Sequence, residues 1–287
     1  HLIFLLFINF SNTQESRHSS IFIGHAFGSH NIKDQMIDPS LNKLLKDNYL
    51  NDFNSLIFGG DFLYDCNDKF ELSNFFNSIS NYNYKLVIGN HDNCDNIKKL
   101  VSKKFESENY YEIIGENLLF YLNTNLRSEN HANNLFKFIG QKIDLYKPKS
   151  VLIFSHQLIF SKSDFYVRVN SRSFYKNANL LYDLIFDRYF KSDHTFYFIS
   201  GDIGAYPLTP YAFYDFNKNF NFYAVGLGNQ SHNKGIIIDI KQKVDIKFID
   251  LDTYKIEKTY NYYKIFVQVY QLPKLILSRL KKILSRV

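Results

Sequence analysis

Leu86-Val87-Ile88-Gly89-Asn90-His91-Asp92 sets an apolar run directly against a glycine and three polar side chains. A buried parallel strand that stops in this way delivers reactive groups to the carboxyl edge of a sheet, where open α/β folds bind their ligands. Asn90 offers a neutral amide oxygen to a cation. His91 offers a ligand nitrogen, or an acid beside a leaving group, and Asp92 a carboxylate that orients it. By itself this is a polar loop. The other strand ends decide what it means.

Outward from that stretch, strand-like and helix-like segments alternate. Strands are expected over residues 21–23, 56–58, 85–88, 118–123, 150–154 and 195–199, with helices over 39–47, 69–78, 95–105, 129–145 and 178–190. The helix at 129–145 collects Leu135, Phe138, Ile139 and Ile143 on one side. Beyond residue 200 the pattern turns to strands alone, at 220–225, 235–240 and 244–251. Alternation followed by a run of strands predicts an α/β fold, with a mixed sheet or two packed sheets and the helices outside.

Five of these strands finish in a glycine or serine followed by a candidate ligand: Gly24-His25, Gly60-Asp61, Gly89-Asn90, Ser155-His156 and Gly201-Asp202. One such ending is common; five in a pattern that gathers strand ends at one edge is hard to attribute to chance. Two carboxylates, two imidazoles and an amide oxygen form a mixed nitrogen and oxygen set that suits Mn, Fe or Zn. Such a cation would act as a Lewis acid and activate water near neutral pH.

Gly60-Asp61, Gly89-Asn90-His91-Asp92 and Ser155-His156, in that order and each after a strand, resemble the calcineurin-like metallophosphoesterases. The likeness spans residues 20–251, and the Gly-Asn-His-Asp block is its specific part. It implies a two-sheet αββα sandwich with a two-metal site at the sheet edges. Asp61 would bridge the metals, Asn90 and His156 would bind one of them, and His91 would act on the scissile phosphate or its leaving group. Two blocks depart from the family pattern. The first is normally Asp-x-His, and here His25 and Phe27 take those places. The last is normally Gly-His-x-His, and here Asp202 and Gly204 follow Gly201 and Ile203. One site therefore keeps Asp61, Asn90, His156 and Asp202. The other keeps His25 and Asp61, helped by His30 or a backbone carbonyl, so the expectation is one or two divalent ions. The activity expected is metal-dependent hydrolysis of a phosphate mono- or diester. The altered blocks point the other way, to a metallophosphoesterase-like metal-binding or interaction protein of the cell envelope without turnover. The intact Gly-Asn-His-Asp block argues for the enzyme, and a metallohydrolase acting on another ester would use the same ligands.

Composition narrows the rest. The 287 residues, 45% hydrophobic and 22% charged, suffice for one large α/β domain or two small ones. A net charge of +6, without a basic stripe interleaved with aromatics, argues against a nucleic-acid surface. Cys66 and Cys94 exclude a disulfide framework but leave room for one bridge, and the burial habits of Cys favour two space-filling thiols. Residues 1–19 read as a truncated signal peptide or membrane anchor plus linker, with a first β-strand as the other reading. Residues 20–255 form the domain. Residues 256–287 form a basic amphipathic tail, read either as a docked terminal helix or as an attachment to an anionic membrane surface. Together the ends point to an extracytoplasmic or membrane-associated protein. Among the remaining candidates, Asp65 would support a ligand or cap a helix, and His30 and His232 would reach the substrate. His131 reads as surface, His194 as a turn residue and His18 as linker, while Arg127 and Arg172 could clamp a phosphate.

Overall fold

The computed structural model describes residues 17–28, 37–159, 175–205, 212–228 and 233–257. The apolar N-terminal run, residues 258–287 of the basic tail, His30, Arg172 and His232 lie outside the described residues, while Ile256 and Glu257, assigned above to the tail, form a strand paired with Ile249 and Phe248. Among those described, no helix is long and apolar enough to cross a membrane.

Chain order is β1 (His18–Ile23), α1 (Pro39–Lys46), a short 3₁₀ turn (Asn48–Asp52), β2 (Ser55–Gly59), α2 (Lys69–Ile79), β3 (Tyr84–Val87), α3 (Asp95–Phe105), β4 (Tyr110–Ile114) and β5 (Asn117–Leu122). Then come α4 (Glu129–Tyr146), β6 (Ser150–Ser155), α5 (Tyr175–Tyr189), β7 (Thr195–Ser200), β8 (Ala212–Asn217), β9 (Phe220–Val225), β10 (Lys234–Ile240), β11 (Val244–Asp250) and β12 (Ile256–Glu257). Every expected strand and helix is present. The short strands β4, β8 and β12 are additional, and His18 opens β1 instead of belonging to a linker.

The strands form two six-stranded mixed sheets, ordered β12-β11-β10-β1-β2-β3 and β4-β5-β6-β7-β9-β8. Period-two alternation sorts the apolar runs between the layers. On β5, Leu118, Phe120 and Leu122 join Leu135, Ile139 and Ile143 of α4 and Leu181 and Ile185 of α5 in one core. Leu119 and Tyr121 of the same strand face the other sheet, in a core that includes Leu41 and Leu44 of α1, Phe75 of α2 and Ile97 of α3. The result is an αββα sandwich whose central strands are buried on both faces, which is why they read as unbroken apolar runs.

The helix starts follow local chemistry. Asp38, Asp68 and Ser128 cap α1, α2 and α4, each accepting from a backbone N–H of the first turn. The parallel strands end level with one another: Ile23 beside Phe58, Gly59 beside Val87, and Ser155 beside Ser200. At this edge the two sheets come into backbone contact. A Cβ on Gly24 would lie 2.1 Å from the Val225 carbonyl oxygen, and one on Gly201 would lie 2.0 Å from that of Gly59. Only glycine permits that approach, and it brings the ligand-bearing loops of both sheets together.

Candidate metal centre

His156, directly after β6, is the hub. Its Nδ1 lies 2.9 Å from the Gly59 carbonyl oxygen, so Nδ1 carries the proton and Nε2 turns toward the site. Around Nε2 stand Asp61 Oδ2 at 3.2 Å, Asn90 Oδ1 at 3.2 Å and Asp202 Oδ1 at 3.6 Å. His25 Nε2 approaches the same Asp61 oxygen at 3.6 Å. Asp61, His156, Asp202 and His25 are buried, whereas Asn90 and His91 are half-exposed. Four strands from two sheets supply the four oxygen and nitrogen donors, since Asp61 follows β2, Asn90 follows β3, His156 follows β6 and Asp202 follows β7.

Backbone strain marks the same place. His25 and Asp61 have φ of 50° and 49°, a region that non-glycine residues enter at a cost. Both are held there by hydrogen bonds between the loops: His25 N–H donates to the Gly60 carbonyl and Phe27 N–H to that of Asp61, each at 3.1 Å. Gly60 has φ +82°, and a Cβ on it would meet the His156 ring at 2.6 Å. The loop thus packs its backbone flat against the hub imidazole.

Two carboxylates buried beside one imidazole demand positive charge. Burial would lower the His156 pKa, but Asp61 and Asp202 outweigh it and push it up to about 10. Burial would likewise raise Asp61, yet His156, with His25 and His91 adding to it, holds its carboxyl well below the usual range. The donor set fits a transition-metal cation: two anionic oxygens, a neutral amide oxygen and an imidazole with its tautomer set by a backbone carbonyl. As the side chains stand they close on one another, and among the described residues no three His, Cys, Asp or Glu form a ready-made ion site.

His91 sits beside this cluster. Its N–H donates to Asp61 Oδ1 at 3.0 Å, and its ring Nδ1 lies 2.9 Å from the Tyr64 carbonyl oxygen. The rings of Phe27 and Tyr64 flank it, with centroids 5.0 and 5.9 Å away. Asp92 has a different place from the one expected. It is fully buried, Oδ1 accepts from the N–H groups of Phe62 and Leu63, and Oδ2 accepts from Gly89. Its carboxyl clamps the loop after β2 to the loop after β3, and the Tyr64 carbonyl sets the His91 ring. Burial, then the Asp61 charge, pushes the Asp92 pKa up to about 8.

Cys66 and Cys94 join the same two loops as a disulfide, with Cα atoms 6.3 Å apart, in place of two space-filling thiols. Asp65 is exposed and turns to Asn67, away from the donors; Asp68 caps α2. His131 is exposed, and His194 is half-buried with Nδ1 near the Pro148 carbonyl.

Sequence reasoning passed over a polar support behind the centre. Asn125 Nδ2 donates to the Gly89 carbonyl at 2.9 Å and the Ile88 carbonyl at 3.2 Å, and Gln157 Nε2 donates to Asn125 Oδ1 at 3.3 Å. Asn123-Thr124-Asn125 closes β5 as Asn90-His91-Asp92 follows β3, and that is the signal the sequence offers. Beside this support lies a cleft of about 480 Å³, lined among others by Asn93, Lys98, Asn125, Arg127, His131 and Phe138.

The architecture has counterparts among solved structures. A dimetal phosphatase from Danio rerio aligns over 80% of this chain and 95% of its own, at 11% identity and a TM-score of 0.53. The chain has the calcineurin-like metallophosphoesterase fold. A protein assigned as a 5'-nucleotidase from Staphylococcus aureus, in complex with alpha-ketoglutarate, aligns over 88% of this chain and 58% of its own, at 8% identity and a TM-score of 0.43. No protein-family model and no curated protein matches the sequence. The likeness is therefore one of fold, and the chemistry must be argued from the residues.

Proposed function

We propose that the protein is a metal-dependent phosphoesterase that hydrolyses a phosphate mono- or diester. The convergence of Asp61, Asn90 and Asp202 oxygens on His156 Nε2 carries this reading, because it places two buried anions and two neutral donors at one point beside a half-exposed histidine. Asp61, Asn90, His156 and Asp202 would hold the cation, of the Mn, Fe or Zn type. Bound there, such a cation supplies Lewis acidity toward phosphoryl oxygens and toward water.

The chain's own groups do the rest. His91 donates its backbone N–H to Asp61 and so keeps that carboxylate in place. The Tyr64 carbonyl engages Nδ1 of the same ring, which leaves Nε2 as the nitrogen that gives a proton to the leaving oxygen. Phe27 and Tyr64 limit how far the ring can swing. Arg127 and Lys98 in the adjoining cleft, neither paired with an acid among the described residues, would draw an anionic ester toward the centre.

The test is hydrolysis of aryl phosphate mono- and diesters with added Mn²⁺, by the parent chain, His91→Ala and Asp202→Ala. The expected result is turnover in the parent, a loss of about 10²- to 10⁴-fold in His91→Ala with ion binding retained, and loss of both ion and turnover in Asp202→Ala. Ion binding without turnover on any phosphate ester would sink the enzyme reading and leave a metal-binding protein.

A further inference from the structure

We infer that Gln157 is a positioning residue of the centre: with Thr124 and Asn125 it holds Asn90, His156 and Asp202 at the spacing a bound cation needs. The inference rests on the reading of the centre as a metal site.

Gln157, Thr124 and Asn125 are all buried. Main-chain carbonyls fix which way each amide points. The carbonyls of Ile88 and Gly89 can only accept, so Asn125 turns Nδ2 to them, at 3.2 and 2.9 Å. Asn125 Oδ1 is then left to accept from Gln157 Nε2 at 3.3 Å, and Gln157 Oε1 accepts from the Thr124 hydroxyl. The Gln157 backbone N–H donates back to Thr124 Oγ1 at 3.2 Å. On the other side, the Gln157 carbonyl accepts from the Ser155 hydroxyl at 2.9 Å, and the Ser200 hydroxyl lies 2.9 Å from that of Ser155. Gly201 N–H donates to the Ser155 and His156 carbonyls at 3.2 and 3.1 Å.

Asn90 comes one residue after Gly89, His156 one before Gln157, and Asp202 one after Gly201. Three of the four donors therefore hang from one buried network, while Asp92 ties the loop of the fourth, Asp61, to the same Gly89. Asn90 has most need of it. It is uncharged and half-exposed, and it follows β3, the outermost strand of its sheet, so pairing on both sides does not set its place. Its partner across the centre, His156, belongs to the other sheet, yet Asn90 Oδ1 lies 3.2 Å from His156 Nε2. Every polar side-chain atom of Thr124, Asn125 and Gln157 has a partner, so neither loop can shift without leaving a buried group unpaired. Neutral amides also suit the place: Asp61 and Asp202 already bring two anions, and Gln157 orients ligands without adding a third.

The experiment measures the Mn²⁺ affinity of the full chain by competition with a fluorescent chelator, beside the urea midpoint of the same chain freed of metal. Gln157→Met keeps the length of the side chain and removes the amide, and is expected to bind Mn²⁺ about 10- to 100-fold more weakly than the parent. Thr124→Val, which removes one hydroxyl, is expected to lose affinity in the same direction, and Thr124→Ser, which restores that hydroxyl, to recover it. Ile185→Val, on α5 in the outer core, is the control: its urea midpoint falls, and its Mn²⁺ affinity stays that of the parent. Parental affinity in both Gln157→Met and Thr124→Val would overturn the inference. So would an equal loss of affinity in Ile185→Val, which would make the effect one of general stability, or no ion bound by the parent. These outcomes separate the two claims. Parental affinity in Gln157→Met, with hydrolysis by the parent, defeats the inference and keeps the phosphoesterase. The expected order of affinities without hydrolysis of any ester does the reverse.

Discussion

Replacing Asp92 tests whether this buried acid is a structural clamp or a partner of His91. Its two oxygens accept from the N–H groups of Phe62, Leu63 and Gly89, at 3.0 to 3.1 Å for the best contact of each. Asp92→Ala strands all three donors in a site closed to water, at about 1 to 3 kcal/mol each. Removing a desolvated carboxyl next to Asp61 gives part of that back, so the net loss is about 3 to 5 kcal/mol. Asp92→Asn keeps one acceptor and turns its amide hydrogens toward a remaining N–H, for about half that loss. Urea unfolding followed by circular dichroism reads the difference. With a slope of about 2.5 kcal/mol/M, the Asp92→Ala midpoint falls by about 1.5 M. The reasoning fails if Asp92→Ala unfolds at the parent midpoint while its turnover drops as far as that of His91→Ala. That result would make Asp92 an orienter of the histidine.

The other predictions concern the surroundings of the centre. Burial pushes the Asp38 pKa up to about 6, so the native state binds this proton more tightly than the unfolded chain does. Its contribution to stability is complete below the unfolded value and is lost as pH rises through about 6, a change of about 3 kcal/mol. Asp38→Asn retains an acceptor for Ser40 N–H and Asn233, and should flatten the pH dependence of the urea midpoint between pH 4 and 8; an unchanged slope would contradict it. Cys66 and Cys94 close a loop with a sequence separation of 28, so Cys66→Ser with Cys94→Ser should cost about 3.5 kcal/mol in unfolding experiments under oxidising conditions. A stability equal to that of the parent would show that the bridge adds nothing. Arg127→Ala should raise KM for an anionic ester several-fold with kcat little changed, and an unaltered KM would remove the cleft from substrate binding.

Much of this protein was legible in one dimension. Strands β5, β6 and β7 are buried on both faces, so Leu118–Leu122 and Val151–Phe154 could only be near-continuous apolar runs. The five strand ends were visible because each breaks such a run with a glycine or serine and one polar residue. Strands β4, β8 and β12 were not visible: each is the outermost strand of its sheet, and runs such as Tyr110-Tyr111-Glu112-Ile113-Ile114 become strands only by pairing with a neighbour.

At the centre the division is sharper. Hydrophobic periodicity assigns the strands and chain direction assigns their ends, so the residue types that reach the sheet edges can be read from the sequence. The sequence cannot assign Asp92, since a carboxylate one residue after a histidine is equally placed to orient the ring or to take backbone N–H groups. The donors that settle it, Phe62 and Leu63, come from a loop about 30 residues earlier. Nor could it reveal that the glycines after β1 and β7, Gly24 and Gly201, bring the two sheets into backbone contact, or that Phe27 packs against both His25 and His91. Those are matters of distance between segments far apart in the chain, and only the packing of one sheet on the other sets such distances.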